Sequence, residues 1–143
     1  MSRVAELSRQ TSETRITVRL DLDGDGSSVI RTGIGFLDHM LTALSRHGRF
    51  DLSLEASGDL LVDDHHTAED CALVLGAAFD AALGERRGIK RFGTSFAPMD
   101  EALARAVVDL SGRPASAVNL GLKREMLGAI ATENLTHFFN SLA

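Results

Sequence analysis

The sequence contains no tryptophan and no tyrosine, and it has a single cysteine among its 143 residues. Without these aromatic residues it lacks the stacking platform on which many proteins hold single-stranded bases. Its net charge of −5 also argues against a nucleic-acid binder, which normally needs a basic face. A lone cysteine cannot form an internal disulfide, so Cys71, which lies in an apolar run, is predicted to be a small core residue in a reducing compartment.

Long apolar segments are also missing. No run is long enough to cross a membrane, and residues 1–10 lack the apolar stretch of a secretory signal, so we expect a cytoplasmic protein without membrane contacts. The length predicts one domain over residues 1–143. A hydrophobic content of 44% is sufficient for a packed core that needs no covalent or metal cross-links.

Short alternating segments and longer helical patterns follow one another along the chain. Alternation of apolar and polar residues predicts strands at residues 15–22, 29–32 (the returning strand of a hairpin), 50–55, 59–62, 105–110 and 117–122. Residues 88–95 are expected to form a loop or an edge segment. Apolar residues at helical spacing predict helices over residues 36–46, 66–83 and 133–143, the last one capped by Thr132.

The chain repeats part of its own sequence. Residues 20–24 match residues 108–112, which lie 88 positions later, and residues 38–44 match residues 136–142, 98 positions later. Each copy begins with strand, turn, strand and helix, and the first copy continues into a further strand and helix. Such a pattern predicts an α/β (α+β) fold that is built from a duplicated unit.

The two copies differ in extent. Copy one covers about residues 13–84 and copy two about residues 100–143. The second copy stops before a counterpart of the last strand and helix of the first. We therefore expect either a truncated chain or a further tail.

An acidic segment at residues 63–70 contains two adjacent histidines and a glutamate. On a helix, His65 and Glu69 are four residues apart and His66 and Glu69 are three apart, so each pair can share a face. Successive residues point about 100° apart, so the two histidines diverge and suit two ions, or one ion and one ligand. Imidazole and carboxylate together favour Mn, Fe or Zn over Ca or Mg.

The repeat adds two further histidines to this hypothesis. His39 and His137 occupy matching positions early in their helices, away from the apolar stripe of each helix. Each one alone is equally well interpreted as a solvated surface residue. Together with the acidic segment, they predict that two copies would build two metal sites.

Other polar residues allow two interpretations. His47 lies nearer the apolar edge of its helix, where a buried structural role is as good an explanation as ligand contact. The basic residues at 86–91 are either a solvated loop or a phosphate site, because arginine offers a forked donor. The same alternatives apply to Arg113 in its Gly-Arg-Pro turn. Glu13 has no local feature that distinguishes it from an exposed acid.

Several of these motifs together resemble the imidazoleglycerol-phosphate dehydratase family. The similarity runs from about residue 9 to residue 143 and is carried by residues 35–40, 47–48, 58–60, 64–70 and 104–114. The resemblance implies a duplicated α/β fold with sheets outside packed helices. It also implies two manganese ions and a homo-oligomer that is built from trimers and forms a 24-mer when complete.

The resemblance also implies roles for individual residues. Glu13 corresponds to the acid–base glutamate of the family, Arg91 and Arg113 to phosphate-binding arginines, and His47 to a substrate-binding histidine. The family's second His-His-x-x-Glu segment, and a late serine and lysine, have no counterpart here. The implied manganese ligands are His39, His65, His66, Glu69 and His137.

The implied reaction is the dehydration of imidazole glycerol phosphate to imidazole acetol phosphate in histidine biosynthesis. Cations beside the ring nitrogens would stabilise an imidazolate, and a carboxylate such as Glu13 would transfer the proton. Three alternatives remain open. They are a metal-poor, inactive form of the same enzyme, a dimetal storage or sensing protein, and an interaction module that retains no metal.

Overall fold

A four-stranded sheet occupies the first part of the computed structural model, which describes residues 3–143. Side chains of the second strand alternate, so that Ile16, Val18 and Leu20 are buried and the residues between them are exposed. This is the half-buried pattern that the sequence predicted. The strands are β1 (Val4–Gln10), β2 (Thr14–Asp21), β3 (Ser28–Arg31) and β4 (Asp51–Gly58), and their spatial order is β1-β2-β4-β3.

Helices cover one face of this sheet. α1 (Gly35–Gly48) packs against β3 and β4, and α2 (His65–Leu83) packs against β1, β2 and β4. α3 (Thr132–Leu142) packs against α2 and buries Leu135 and Phe138 in the common core. The predicted α/β class, with the sheet outside and the helices inside, is confirmed. No helix among residues 3–143 is both long enough and apolar enough to span a membrane.

A second, separate ribbon consists of β5 (Phe92–Met99) and β6 (Ala102–Asp109). Its register matches that of β1 and β2 at the offset of the sequence repeat, since Val4 faces Asp21 and Phe92 faces Asp109. All residues of both strands are exposed. Of the two alternatives predicted for residues 88–95, the edge segment is found from residue 92 onward, where β5 begins as one of the two edge strands of the ribbon.

The chain between β6 and α3 contains little regular structure. β7 (Met126–Leu127) and β8 (Ile130–Ala131) form a short hairpin just before α3. The strand predicted at 117–122 is not formed. In the first copy, β3 pairs with β4. Among the described residues, no strand that corresponds to β4 lies beside residues 117–122, so this segment has nothing to pair with.

Three further local predictions are corrected. β3 does not return as a hairpin on β2 but pairs in parallel with β4, because the Asp51 carboxylate accepts backbone N–H groups from residues 25–27 and redirects the chain. Residues 60–62 form a turn rather than a strand, closed by a 2.7 Å bond from the Val62 N–H to the Asp59 carbonyl. Thr132 does not cap α3 with its side chain but begins the helix.

Candidate metal centre and active site

Three metal-ligating side chains meet where α2 and α3 pack together. The Nε2 atom of His65 lies 3.7 Å from Oε2 of Glu69, one helical turn along α2. The Nε2 atom of His137, on α3, lies 3.1 Å from Oε1 of the same glutamate. The imidazole rings of His65 and His137 are stacked with their centroids 5.0 Å apart. Potential ligand atoms of all three residues lie within 4.8 Å of one another.

A buried polar network holds the two helices in this arrangement. Oδ2 of Asp64, just before α2, accepts hydrogen bonds of 2.9 Å from the Asn134 side-chain amide and from the Ala131 backbone N–H. Oδ1 of Asn134 lies 3.0 Å from Nδ1 of His65. Asp64 and Asn134 are both buried, whereas His65 is half-buried. The network therefore sets the position of α3, and of His137 on it, relative to the start of α2.

The chemistry of this cluster fits a transition-metal ion. Two imidazole nitrogens and a carboxylate oxygen form the donor set, which suits Mn, Fe or Zn. The Nδ1 atom of His65 is engaged by an amide oxygen, which leaves Nε2 free to act as a ligand, as is usual for metal-bound histidines. His65, Glu69 and His137 would hold such an ion, and further positions would be left for other ligands.

His66 diverges from this cluster, as the helical spacing predicted. Its Nδ1 atom lies 2.9 Å from Oδ2 of Asp59, and the other carboxylate oxygen of Asp59 is buried without a hydrogen-bond partner. This hydrogen bond raises the pKa of His66; burial opposes the effect, and the negative charges of Asp59, Glu13 and Asp63 add to it. The Asp59 bond leaves Nε2 of His66 available for a second ligand or ion.

Glu13 lies in the turn between β1 and β2, in a groove lined by residues 10–15 and Ser57. The Ser12 hydroxyl donates a 2.7 Å hydrogen bond to Oε1 of Glu13. This bond is the main reason that the pKa of Glu13 lies below its usual value; Thr11 and the positive charge of His66 also lower it. The turn that carries Glu13 and the helix that carries His66 thus bring the two side chains near enough for their charges to interact.

The two histidines of α1 lie elsewhere. His39 and His47 are both exposed, and neither joins the cluster of His65, Glu69 and His137. For His47, the alternative of a buried structural role is wrong, because the side chain is on the exposed face of the helix. The roles implied for both residues by the family resemblance remain predictions.

The two predicted phosphate-binding arginines flank the exposed ribbon, Arg91 just before β5 and Arg113 just after β6. Arg91 makes a forked pair with Asp109, in which Nε donates over 2.6 Å and one terminal nitrogen over 3.1 Å. This pair holds the pKa of Asp109 below its usual value, and the nearby charge of Arg113 contributes to the same effect. Arg113 is exposed in the turn that follows β6. Both guanidinium groups are therefore accessible to an anion, although Arg91 already has a carboxylate partner.

Comparison with known proteins identifies the family of the chain and its fold. A family model described as imidazoleglycerol-phosphate dehydratase matches residues 32–143. The chain belongs to this family. Its fold resembles the crystal structure of the dehydratase from Staphylococcus aureus subsp. aureus N315, with a TM-score of 0.84 and 37% identity over 97% of this chain and 76% of that one.

Sequence relatives in the imidazoleglycerol-phosphate dehydratase family are closer still. The chain is 53% identical to the Candida glabrata dehydratase over 98% of its own length and 75% of the relative. It is 59% identical to the dehydratase of Phytophthora nicotianae, and there it spans 99% of itself but 31% of that longer protein. Members of the family are hydro-lyases, as the resemblance of the motifs implied.

Three residues that contact the candidate site have no role assigned by the sequence alone. Asn134 and Asp59 contact His65 and His66, but neither is part of the repeat pattern or of the metal-ligand spacing. Asp64 precedes the two histidines and lies in a motif of the family resemblance, but the sequence does not show its partner. Its contact with Asn134 joins positions 70 residues apart, so only knowledge of the α2–α3 packing could have identified the pair.

Proposed function

We propose that the chain catalyses the dehydration of imidazole glycerol phosphate to imidazole acetol phosphate, a step of histidine biosynthesis, in the cytoplasm. The observation that carries this proposal is the cluster of His65, Glu69 and His137, which two helices assemble from distant parts of the sequence. Family membership supports the reaction class. A manganese ion is the proposed occupant of the cluster.

Each residue of the proposed site has a separate role in the reaction. When bound, the metal supplies positive charge that stabilises negative charge on the imidazole ring of the substrate. The Glu13 carboxylate, which its hydrogen bonds keep ionised, takes the C–H proton of the glycerol side chain. It then gives this proton to the departing hydroxide, so that water leaves and the carboxylate is restored. Arg113 and Arg91 bind the phosphate. Arg91 must first release the Asp109 carboxylate with which it is paired.

The exposed ribbon supports the proposal that the chain works as a homo-oligomer. Phe92 is 62% exposed and Leu103 67% exposed, and a two-stranded ribbon is marginally stable unless another surface covers it. Burial of these side chains between subunits would remove apolar area from water. Trimers and a 24-mer are the proposed assemblies, and light scattering of the purified chain measures their mass directly.

The experiment that tests the proposed function uses tag-free chain from which metal has been removed with a chelator. Product formation from imidazole glycerol phosphate is followed by mass spectrometry before and after Mn²⁺ is added. We expect turnover only with the metal, and a Glu13→Gln variant should bind Mn²⁺ normally without turnover.

A metal-poor, inactive form is the second candidate, because the described residues assemble one three-ligand cluster and leave His39 and His66 outside it. Bound metal without turnover would favour this candidate or a storage protein. Elemental analysis separates them, since a dimetal storage protein would retain two ions per chain. Failure to retain any metal would favour an interaction module.

A further inference from the structure

The turn that carries Glu13 is connected to α2 by a chain of side-chain hydrogen bonds. The Thr11 hydroxyl oxygen accepts the backbone N–H groups of Glu13 and Thr14 at 3.1 and 3.0 Å. The hydroxyl groups of Thr11 and Thr14 lie 3.2 Å apart. The Thr14 hydroxyl in turn donates to Oδ2 of Asp70 on α2. Glu13 is therefore linked through two threonines to the helix that carries the metal-ligating residues.

Asp70 is a buried carboxylate with both of its oxygens engaged. Asp70 follows Glu69 directly in α2 and is 6% exposed. While Thr14 donates to one oxygen, Nε of Arg9 donates to the other over 2.9 Å. Thr14 is 4% exposed, so its contact with the carboxylate is shielded from water. A hydrogen bond to a buried charge is strong and directional, which suits it to fixing a position.

Closure of the turn itself does not require this connection. The Thr11 backbone N–H donates to the Thr14 carbonyl over 2.9 Å, and β2 is paired with β4 along its whole length and with β1 over residues 15–21. Burial of a charged group beside Thr14 carries a desolvation cost that an apolar contact would avoid. The contact therefore adds orientation to a turn that is already closed.

We propose that Thr14 and Asp70 are positioning residues, which hold Glu13 at a set place relative to the helix that carries His65, His66 and Glu69. This inference rests on the proposed function. It names Glu13 as the group that acts on substrate and the threonine–aspartate contact as the device that places it. Small misplacements of an acid–base group cost about a hundredfold in rate, so such a device has a measurable effect.

The test is a Thr14→Val variant, which keeps the shape of the β-branched side chain and removes its hydroxyl. Thr17→Val is the matched control, because Thr17 lies on the exposed face of the same strand. Thr14→Ser restores a hydroxyl and should rescue the effect. The first readout is amide hydrogen exchange in the labelled chain, measured by NMR at Glu13 and, as an internal reference, at Leu20 in the middle of β2.

We expect the Glu13 amide of Thr14→Val to exchange at least about tenfold faster than in the control, with Leu20 unchanged. With substrate and Mn²⁺, kcat should fall about tenfold or more while KM and metal content change less than about twofold. Thr14→Ser should recover both values. A merely structural role would instead lower the melting temperature and speed exchange at Leu20 as well.

Failure of this inference differs from failure of the proposed function. Equal exchange at Glu13 in Thr14→Val and Thr17→Val would overturn the inference whether or not the chain turns over. Faster exchange with an unchanged kcat would also overturn it, since the turn would then move without consequence. Absence of turnover in the unmodified chain would count against the proposed function, and the exchange comparison would still decide whether Thr14 places Glu13.

Discussion

The Nδ1 atom of His65 lies 3.0 Å from the Oδ1 atom of Asn134. The other end of the Asn134 amide donates to Asp64, so its oxygen must face the histidine. The His65 Nδ1 atom therefore donates to Asn134, and Nε2, which lies 3.7 Å from Oε2 of Glu69, is the ring nitrogen on the side of the cluster. One asparagine thus determines both the tautomer of a proposed ligand and the packing of α3 on α2.

Replacement of Asn134 should weaken metal binding although it is not a ligand. We expect Asn134→Ala to lower the affinity for Mn²⁺ about ten- to hundredfold, because His65 loses the partner that orients it. Isothermal titration of the tag-free chain measures this. Asn140→Ala is the control, since Asn140 lies on the exposed part of α3, where it accepts a 2.8 Å hydrogen bond from the Ser116 hydroxyl. Equal affinities in the two variants would remove Asn134 from the site.

Substitutions inside and outside the cluster should differ in their effect on Mn²⁺ binding. His65→Ala and Glu69→Gln should each abolish measurable Mn²⁺ binding at this site, because two remaining ligands from protein cannot hold the ion tightly. His47→Ala, which removes an exposed imidazole from α1, should leave the titration unchanged. If all three variants bind alike, the ion is held elsewhere. The midpoint of thermal unfolding, measured in parallel, excludes loss of the fold as the cause.

The pair of Arg91 and Asp109 predicts a variant that binds phosphate more tightly. In Asp109→Asn the neutral amide competes less for the guanidinium group, so inorganic phosphate should bind about three- to tenfold more tightly. Arg113→Ala should weaken binding by about tenfold or more through loss of a charged hydrogen bond. Calorimetry checks both, and Arg31→Ala, which removes a highly exposed arginine of β3 that is paired with Glu55, is the control. Unchanged affinity in Asp109→Asn would place the phosphate away from Arg91.

The Cys71 thiol predicts a pH dependence of stability. Burial raises its pKa from an ordinary value of 9.0 to about 12. Between these values the unfolded chain loses the proton and the folded chain retains it, so the free energy of unfolding should fall as pH rises above 9. Denaturant titrations at pH 7 and pH 10.5 measure the difference, which should be smaller in Cys71→Ala. A stability that is equally sensitive to pH in that variant would contradict the assignment.

Reactivity of the same thiol gives an independent check. At pH 8 its thiolate fraction should be on the order of a thousandfold below that of an ordinary cysteine, so alkylation of the folded chain should be slow. Addition of denaturant should restore normal reactivity. Fast alkylation of the folded chain would mean that α2 does not bury this residue.

Local patterns in the sequence predicted the elements whose residues contact their own neighbours. The alternation in β2 and the apolar face of α2 both follow from the geometry of a single strand or helix. They can therefore be predicted without knowing which element packs against them. The parallel pairing of β3 with β4 could not be read in this way. It depends on the turn that Asp51 holds from 24 to 26 residues away along the chain.

The candidate site likewise has one part that local sequence predicts and one part that depends on tertiary packing. By itself the sequence determined that His65 and Glu69 share one helix face and that His66 points away, because 3.6 residues per turn leaves no other arrangement. The repeat already indicated His137 as a ligand, but only the tertiary structure decided that it lies beside Glu69, that Asn134 contacts His65 and that Asp70 reaches the turn of Glu13. These contacts join residues more than 50 positions apart, and their geometry comes from the packing of helices and sheet, which no local periodicity encodes.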